Sequence, residues 1–529
     1  LEQDTFSAAE RGALAPYFTS LDGPVFALRN LPEVVKGAMF ARYSRSPKSL
    51  RRLFLDEFLD DLEAGNELEA VGIGRADKLY ERVFDEYGDD SVAQLGAAHI
   101  ACEGASNVLT KVLEWGRMMA YLEQSTRYIS YNDRSGGRWR YLVPAELETH
   151  ALRPQYELIL DHAFATYARW IEPLEEHFRS KYPRDPKDPE AVYKRTIRAK
   201  ALDTLRGLLP AATQSNVGLF GSGQAFEALL LRMRVHPLAE VRHYADLMLT
   251  ELRKVIPSFL KRIDRSERGG AWSEYLRSVR SATDNIAARL LAGVAPEPSA
   301  EVELCDFDPE GEVKVVGAAL YSASRLPDSQ LLEIARKMSP EDRAAVLAAY
   351  LGDRRNRRHK PGRAFERTSY RFDVLTDYGA FRDLQRHRLL SIEWQPLSTQ
   401  HGYNVAEVVE EIGALREWQL VMERSAALHD ALVRLGLPDV APYAVSMAYR
   451  VRFYMEMNAR EAMHVIELRT SPQGHPAYRR VCQEMHRLIA EKAGHRAIAA
   501  AMKFADHSEV ELERLQAERS AEHKRQQRT

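Results

Sequence analysis

The chain runs to 529 residues, too long for one ordinary domain and long enough for two to four. Apolar residues make up 45% and can fill large cores, while 74 basic against 76 acidic side chains leave a net charge of −2. That balance argues against a nucleic-acid coat or a polybasic membrane anchor, so any basic site has to be a local pocket. Cys102, Cys305 and Cys482 lie far apart and form no CxxC, which fits a reducing compartment and excludes a cysteine-rich zinc module. No long apolar run exists and the start has no basic-then-apolar leader, so a cytoplasmic protein without membrane contact is expected.

Residues 1 to about 35, punctuated by Pro16, Pro24 and Pro32, read as an irregular or short helical lead-in. Tyr43-Ser44-Arg-Ser46 then enters a helix whose apolar positions are Leu53, Phe54, Phe58 and Leu59. Gly88-Asp-Asp-Ser91 stands before a strand-like apolar stretch ending at Cys102-Glu-Gly104, and Trp115-Gly-Arg117 leads on to Glu123-Gln-Ser125-Thr-Arg127. Between Asp133 and about Lys200 the material is mostly helical. Gly218-Leu-Phe-Gly221-Ser-Gly223 lacks a preceding Val/Ile-rich strand and a following acidic partner, so it predicts a turn or close backbone approach rather than a dinucleotide fold. Pro237 opens a helix with the stripe Val241, Ala245, Met248 and Leu252. Beside that stripe Arg242 is either a snorkelling surface residue or points from the helix start into a pocket. Gly293 to Ser299 has the prolines and small residues of a linker.

The same order of features then begins again. Tyr321-Ser-Ala-Ser324 leads through a turn into a helix with Leu331, Leu332 and Ile334, and Pro361-Gly stands before Tyr370-Arg-Phe-Asp-Val-Leu, which alternates as a strand. Next come Arg386, His387 and Arg388, and finally Pro476 opens a helix with Tyr478, Val481, Met485 and Leu488 inside. Four features in one order in both halves predict a tandem duplication with roughly 230 to 280 residues between equivalent positions. The expected domains are 1–292 and 300–505, followed by a charged tail at 506–529. Arg386-His387-Arg388 concentrates donors suited to an anion or an electron-rich ring, against the alternative of a solvated helix end. Arg354 to Lys360 reads either as a solvated loop or as capture of a polyanion. His359, His401 and His475 show no metal-ligand spacing, and no metal is expected.

These residues resemble the flavin-dependent thymidylate synthases, whose signature pairs Arg-His-Arg with a Glu-x-Ser-x-Arg loop, an Arg-x-x-Leu-Pro segment, an Asn-x-Arg region and a final helix opening with arginine. The resemblance implies an α+β chain of two homologous domains, each an antiparallel sheet packed with helices. It also implies a division of duties. Flavin-facing positions persist in the second half as Arg386, His387, Arg388, Asn458, Arg460 and His464, while Trp394, Pro396 and Ser398 replace its nucleotide loop. Nucleotide-facing positions persist in the first half as Glu123, Ser125, Arg127, Arg206 and Arg242, while its triplet has become Trp115-Gly116-Arg117. A histidine found in the family's Gly-His-x-Ser-Val box is replaced by Leu95 and by Arg367, and Gly221-Ser-Gly223 falls about where Asn-x-Arg belongs.

The implied function is reductive methylation of dUMP or a related uracil nucleotide at C5, in a composite site shared by the halves. FAD would be the cofactor, with NADPH and methylene-tetrahydrofolate as co-substrates. Family assembly implies a homodimer forming a pseudo-tetramer. In this reading Ser125, Arg127 and Arg206 meet phosphate and Glu123 accepts from a ribose hydroxyl or holds an arginine. Arg242 meets a pyrimidine carbonyl as charge develops. Ser125 has no histidine placed as a base and is read as a ligand rather than a nucleophile. The alternatives are a degenerate flavin- or nucleotide-binding homologue with a scaffolding role, or flavin chemistry on uracil in nucleic acid.

Overall fold

A computed structural model describes residues 5–43, 46–59, 94–512 and 514–526. Ser44 of the first Tyr-Ser turn and the Gly88-to-Ser91 box lie outside the described residues. Two sheets form. The first has the order β1-β3-β2, with β1 Ala97–Ser106, β2 Met119–Glu123 and β3 Gln214–Ser222. The second has the order β4-β5-β7-β6, with β4 Val302–Phe307, β5 Ser369–Asp377, β6 Ser391–Trp394 and β7 Arg450–Asn458. Neighbours pair antiparallel, β2 with β3 in register Met119↔Gly221 and β5 with β7 in register Ser369↔Asn458. Tyr370, Phe372 and Val374 of β5 are buried while their neighbours are not, the period-two pattern of a half-covered strand.

The duplication is visible element by element. β1 and β5 each run into a seven-residue helix, Asn107–Leu113 and Tyr378–Leu384, capped by Ser106 Oγ and Asp377 Oδ1. β3 and β7 run into Gly223–Arg234 and Ala459–Arg469, capped by Ser222 and Asn458. Ala239–Leu252 and Pro476–Glu491 are the final helices of the two sets. The glycine-rich 218–223 segment is a strand rather than a turn. Val217, Leu219 and Gly221 face inward in alternation with Gly218 and Phe220, and the glycines hide that pattern. The anticipated close approach is real at Gly223, where a Cβ would come 2.5 Å from that of Phe259.

In space the chain forms two compact units that cut across the sequence halves. One draws on the described residues up to Glu103, on Gly116–Glu123 and on Asn216–Val294; the other on Gly104–Trp115, Gln124–Ser215 and everything from Ala295 onward. The first unit is filled by Phe18, Phe54, Met119, Phe226 and Phe259. In the second, a first-half segment pairs antiparallel with a second-half one: Ala211 N–H donates to Val445 O (2.8 Å), Met447 N–H to Leu209 O (2.9 Å) and Ala448 N–H to Gly207 O (3.0 Å). Its single core therefore mixes Phe164, Leu205 and Leu209 with Phe372, Phe381, Met422 and Met455. Among the described residues no helix is long and apolar enough to cross a membrane.

The basic run starting at Arg354 divides. Arg354 is 3% exposed and holds Glu467, 1% exposed by side chain, through two hydrogen bonds of 2.8 and 2.6 Å. It also donates to the carbonyls of His359 and Ala501. This member is a buried structural cation, whereas Arg355 stays exposed beside Asp353.

Candidate functional site

Arg127 and Arg206 both lie in the second unit and share one acid. Arg127 Nε donates to both oxygens of Asp203 (2.8 and 2.6 Å), and its two Nη atoms donate to Tyr478 Oη and Gln473 O at 3.3 Å. Arg206 follows the helix Glu190–Leu205 and is 4% exposed; its Nη1 stands 3.8 Å from Asp203 and 3.8 Å from Asp383. Asp383 lies one helical turn before Arg386, whose Nη1 is 3.5 Å away, and Arg469 Nη1 is 3.7 Å away. Burial alone would raise the Asp383 carboxyl, but Arg386, Arg469, Arg206 and Arg127 overcome it and hold it well below the usual range. Arg127 and Arg206 of the first half and Arg386 of the second thus meet through one buried acid.

Four guanidiniums, Arg127, Arg206, Arg386 and Arg469, surround two carboxylates, Asp203 and Asp383. Glu114, which approaches Arg386 at 3.6 Å, is already bound to Lys111. Arg206 comes no closer than 3.8 Å to either Asp203 or Asp383, beyond hydrogen-bond distance. Arg206, held loosely between two acids, is the member of this cluster placed to receive an anion.

Beside it opens a cavity of about 610 Å³, lined by Asp203, Arg206, Asp377, Trp418, His475 and Arg480 among others. The indole N–H of Trp418 and Nη2 of Arg206 are buried donors with no acceptor among the described residues. Donors left so are costly unless something else engages them. His475 Nδ1 accepts from Ala477 N–H (3.2 Å), which leaves the proton of a neutral ring on Nε2. Burial, then Arg206, pushes this histidine down to about 4. Gly379 makes room for Arg206, since a Cβ there would come 3.1 Å from its Nε. Gly379→Ala is therefore expected to displace the guanidinium and weaken binding of a phosphate-bearing probe at least ~10-fold in calorimetric titration, with the fold retained.

The remaining triplet positions lead to a second cluster. His387 is 7% exposed; its Nε2 accepts from Arg469 Nε (2.9 Å), its Nδ1 lies 3.7 Å from Glu461, and its ring is 5.5 Å from that of His464. Burial first, then Arg469, drives His387 well below its usual value, and burial with Lys360 and Arg357 takes His464 to about 4. Burial raises Glu461 to about 7 against the pull of Lys360, Arg460 and Arg388. Ligand atoms of His387, Glu461 and His464 lie within 4.8 Å of one another, a spacing a metal ion could use, although the surrounding cations oppose one. Arg388 is exposed, Arg460 donates to Pro361 O and meets Glu366 at 3.2 Å, and Asn458 Oδ1 caps its helix at Glu461 N–H.

The histidines set a pH response. Each binds its proton later than in the unfolded chain, so its contribution is whole above about pH 6.5 and is lost as pH falls toward 4. Glu461 has the opposite sign: its contribution is present below its ordinary 4.5 and is lost as pH rises through about 7. The histidine contribution to thermal midpoints should fall between pH 6.5 and 4, and Glu461→Gln should gain on the wild type progressively as pH rises from about 4.5 to 7, keeping the full advantage above.

Other sequence-derived positions lie elsewhere. Ser125 is half-buried and its Oγ accepts from Arg127 N–H (3.3 Å), so it shapes the loop that presents that arginine. Glu123 belongs to the first unit, buried at the end of β2 in register with Val217. Arg242 also belongs to the first unit, exposed, with its guanidinium donating to the carbonyls of His236 (2.6 Å) and Pro237 (2.5 Å). Asp203, Asp383, Arg469, Trp418 and Arg480 are the residues the sequence reading passed over. Only Asp383, three positions before Arg386 and an opposite charge to it, carried a readable signal.

Residues 35–258 and again 303–494 match the family described as thymidylate synthase complementing protein. The chain is 38% identical over 527 residues to a UPF0159 protein of Chlamydia muridarum, covering 98% of each, and 30% identical over 510 residues to one of Thermoplasma acidophilum, covering 91% of this chain and 97% of the relative. A flavin-dependent thymidylate synthase of Clostridium tetani is 25% identical over 178 residues, 33% of this chain and 66% of that protein. Among solved structures, a UMP/dUMP methylase, PolB, of Streptomyces cacaoi bound with 5-Br dUMP aligns at 21% identity and a TM-score of 0.30, over 38% of this chain and 94% of that one. With two consecutive matches and a repeated element order, the chain belongs to the thymidylate synthase complementing protein family, as a tandem duplication of its domain.

Proposed function

We propose that this protein is an FAD-dependent, thymidylate-synthase-like methyltransferase acting at C5 of dUMP or a related uracil nucleotide. The observation that carries the reading is the loosely held Arg206, with a buried unbonded Nη2, beside a cavity large enough for a nucleotide. The phosphate is assigned to Arg206, with Arg127 and Asp203 fixing its position, and Trp418 is the donor left for the sugar or base. Arg242 belongs to the first unit, whereas Arg480, the fifth residue of the second half's final helix, lines this cavity. The contact to the pyrimidine therefore passes in this reading from Arg242 to Arg480. Glu123 is retained only as a support for the loop that follows it.

The residues near the triplet fit a dinucleotide: Arg388, Arg357, Arg460 and Lys360 concentrate positive charge suited to a diphosphate, and His387 and His464 offer ring edges. Bound there, FAD would supply the redox half of the chemistry, with NADPH as reductant and methylene-tetrahydrofolate as one-carbon donor. What the chain itself does is hold the nucleotide phosphate, keep His475 neutral beside it and exclude water around Asp203 and Asp383. The working assembly is a homodimer, a pseudo-tetramer of four family domains.

One observation favours a binding protein without turnover. The place of the family's boxed histidine is taken by Arg367, which is committed to Asp328 at 3.0 Å. The test is mass-spectrometric detection of dTMP after incubating purified protein with FAD, NADPH, methylene-tetrahydrofolate and dUMP. Product is expected; none from folded, flavin-loaded protein would leave only the binding role.

A further inference from the structure

The helix Ala271–Leu290, in the first unit, has no buried residue. Yet its sequence is strongly two-sided. Trp272, Val279 and Ile286 recur every seventh position, and Leu276, Thr283 and Leu290 fall four residues after each, the alternating spacing of a helix-pairing seam. At 3.6 residues per turn these six lie on one narrow stripe with Tyr275 at its edge. Arg277, Arg280, Ser281, Asp284 and Asn285 lie on the other side.

A surface helix ordinarily turns its apolar stripe to the core. Here neither side is buried: Arg277, Arg280, Ser281, Asp284 and Asn285 are exposed along with most of the stripe, of which only Leu276 is half-buried. The polar side lines a cavity of about 550 Å³ with Arg234, His236 and Arg242 of the same unit. In the stripe the large side chains Trp272, Tyr275, Val279, Ile286 and Leu290 are between 44 and 62% exposed, and the apolar Leu291 and Val294 beyond the helix are exposed as well. Contiguous apolar area of several hundred Å² is more than a monomer leaves to water, and a standard interface takes about 800 Å² from each partner. Half-open side chains of this size supply most of that area.

We propose that two copies of the chain pair through this helix, antiparallel, about a two-fold axis near Ser281. The seam spacing specifies a helix as the occupant, and a two-fold pairing lets one stripe satisfy its own copy. The antiparallel sense follows from the taper: aromatics sit at the N-terminal end and aliphatics at the other. Leu290 of one copy then meets Trp272 and Tyr275 of the other, which border a groove of about 540 Å³. Opposed helix dipoles favour the same sense. This inference is independent of the methyl-transfer reading.

Sedimentation equilibrium of the full chain over a broad concentration range tests it. The wild type should be dimeric, and Val279→Glu/Ile286→Glu, which alters only exposed positions, should associate at least ~30-fold more weakly with an unchanged melting midpoint. A monomeric wild type, or a double variant that dimerises as well as the wild type, overturns the proposal. So does a double variant of unchanged mass whose melting midpoint falls, since the stripe is then covered by its own chain. In a Cys305→Ser background, Leu276→Cys mixed with Ile286→Cys should yield cross-linked heterodimers on oxidation. Leu276→Cys that cross-links efficiently by itself overturns the antiparallel pairing.

Discussion

Arg206→Ala is expected to lower kcat/KM for methylation of dUMP at least ~100-fold and to abolish calorimetric binding of the nucleotide. The guanidinium is buried, has an unused donor, and stands 3.8 Å from each of two acids without a close bond to either. Its charge is therefore available to a ligand in a way that Arg127, closely bound to Asp203, is not. Circular dichroism should be unchanged, because Arg127, Arg386 and Arg469 remain to hold Asp203 and Asp383. Arg206→Lys should recover only part of the loss, since an ammonium lacks the planar fork. Nucleotide affinity equal to wild type in the alanine variant would remove the cavity from consideration as the substrate site.

The largest stability effect should come from a residue outside any site. Arg354→Ala leaves Glu467 buried without its partner, along with the carbonyls of His359 and Ala501, and is expected to cost about 3–5 kcal/mol in denaturant unfolding. Arg355→Ala, one position on and exposed, should stay within about 0.5 kcal/mol of wild type. In the double variant Arg354→Ala/Glu467→Ala the cost should fall well short of the sum of the two single losses, because neither charge is then stranded.

Much of the architecture was legible because periodicity and punctuation are local. The alternation of Tyr370, Phe372 and Val374, the two Tyr-Ser-x-Ser segments, and Pro476 at its helix start each depend on a few neighbouring residues. Their repetition in one order revealed the duplication. The 214–222 strand was missed because glycines at 218 and 221 remove side chains from both faces and mask the alternation of Val217 and Leu219.

The site was legible where residue type carries the chemistry, at Arg127, Arg206, Arg386 and His387. It was opaque where only position does. Asp203 and Asp383 are ordinary helical acids until burial and four arginines give them a task, and Arg469 becomes relevant only because its helix ends beside His387. Arg354 shows the converse, a charge run whose first member is the least solvent-exposed.

The pairing of 207–212 with 443–448 has a consequence for synthesis. Leu205, Leu208 and Leu209 are covered only when residues some 230 positions later have emerged, which at ribosomal speeds of about 5–20 residues per second is a wait of roughly 10–50 s. During that interval a nascent chain carries an apolar surface with no partner yet made. The protein should therefore depend on holding chaperones during translation far more than a chain of the same length whose halves fold one after the other.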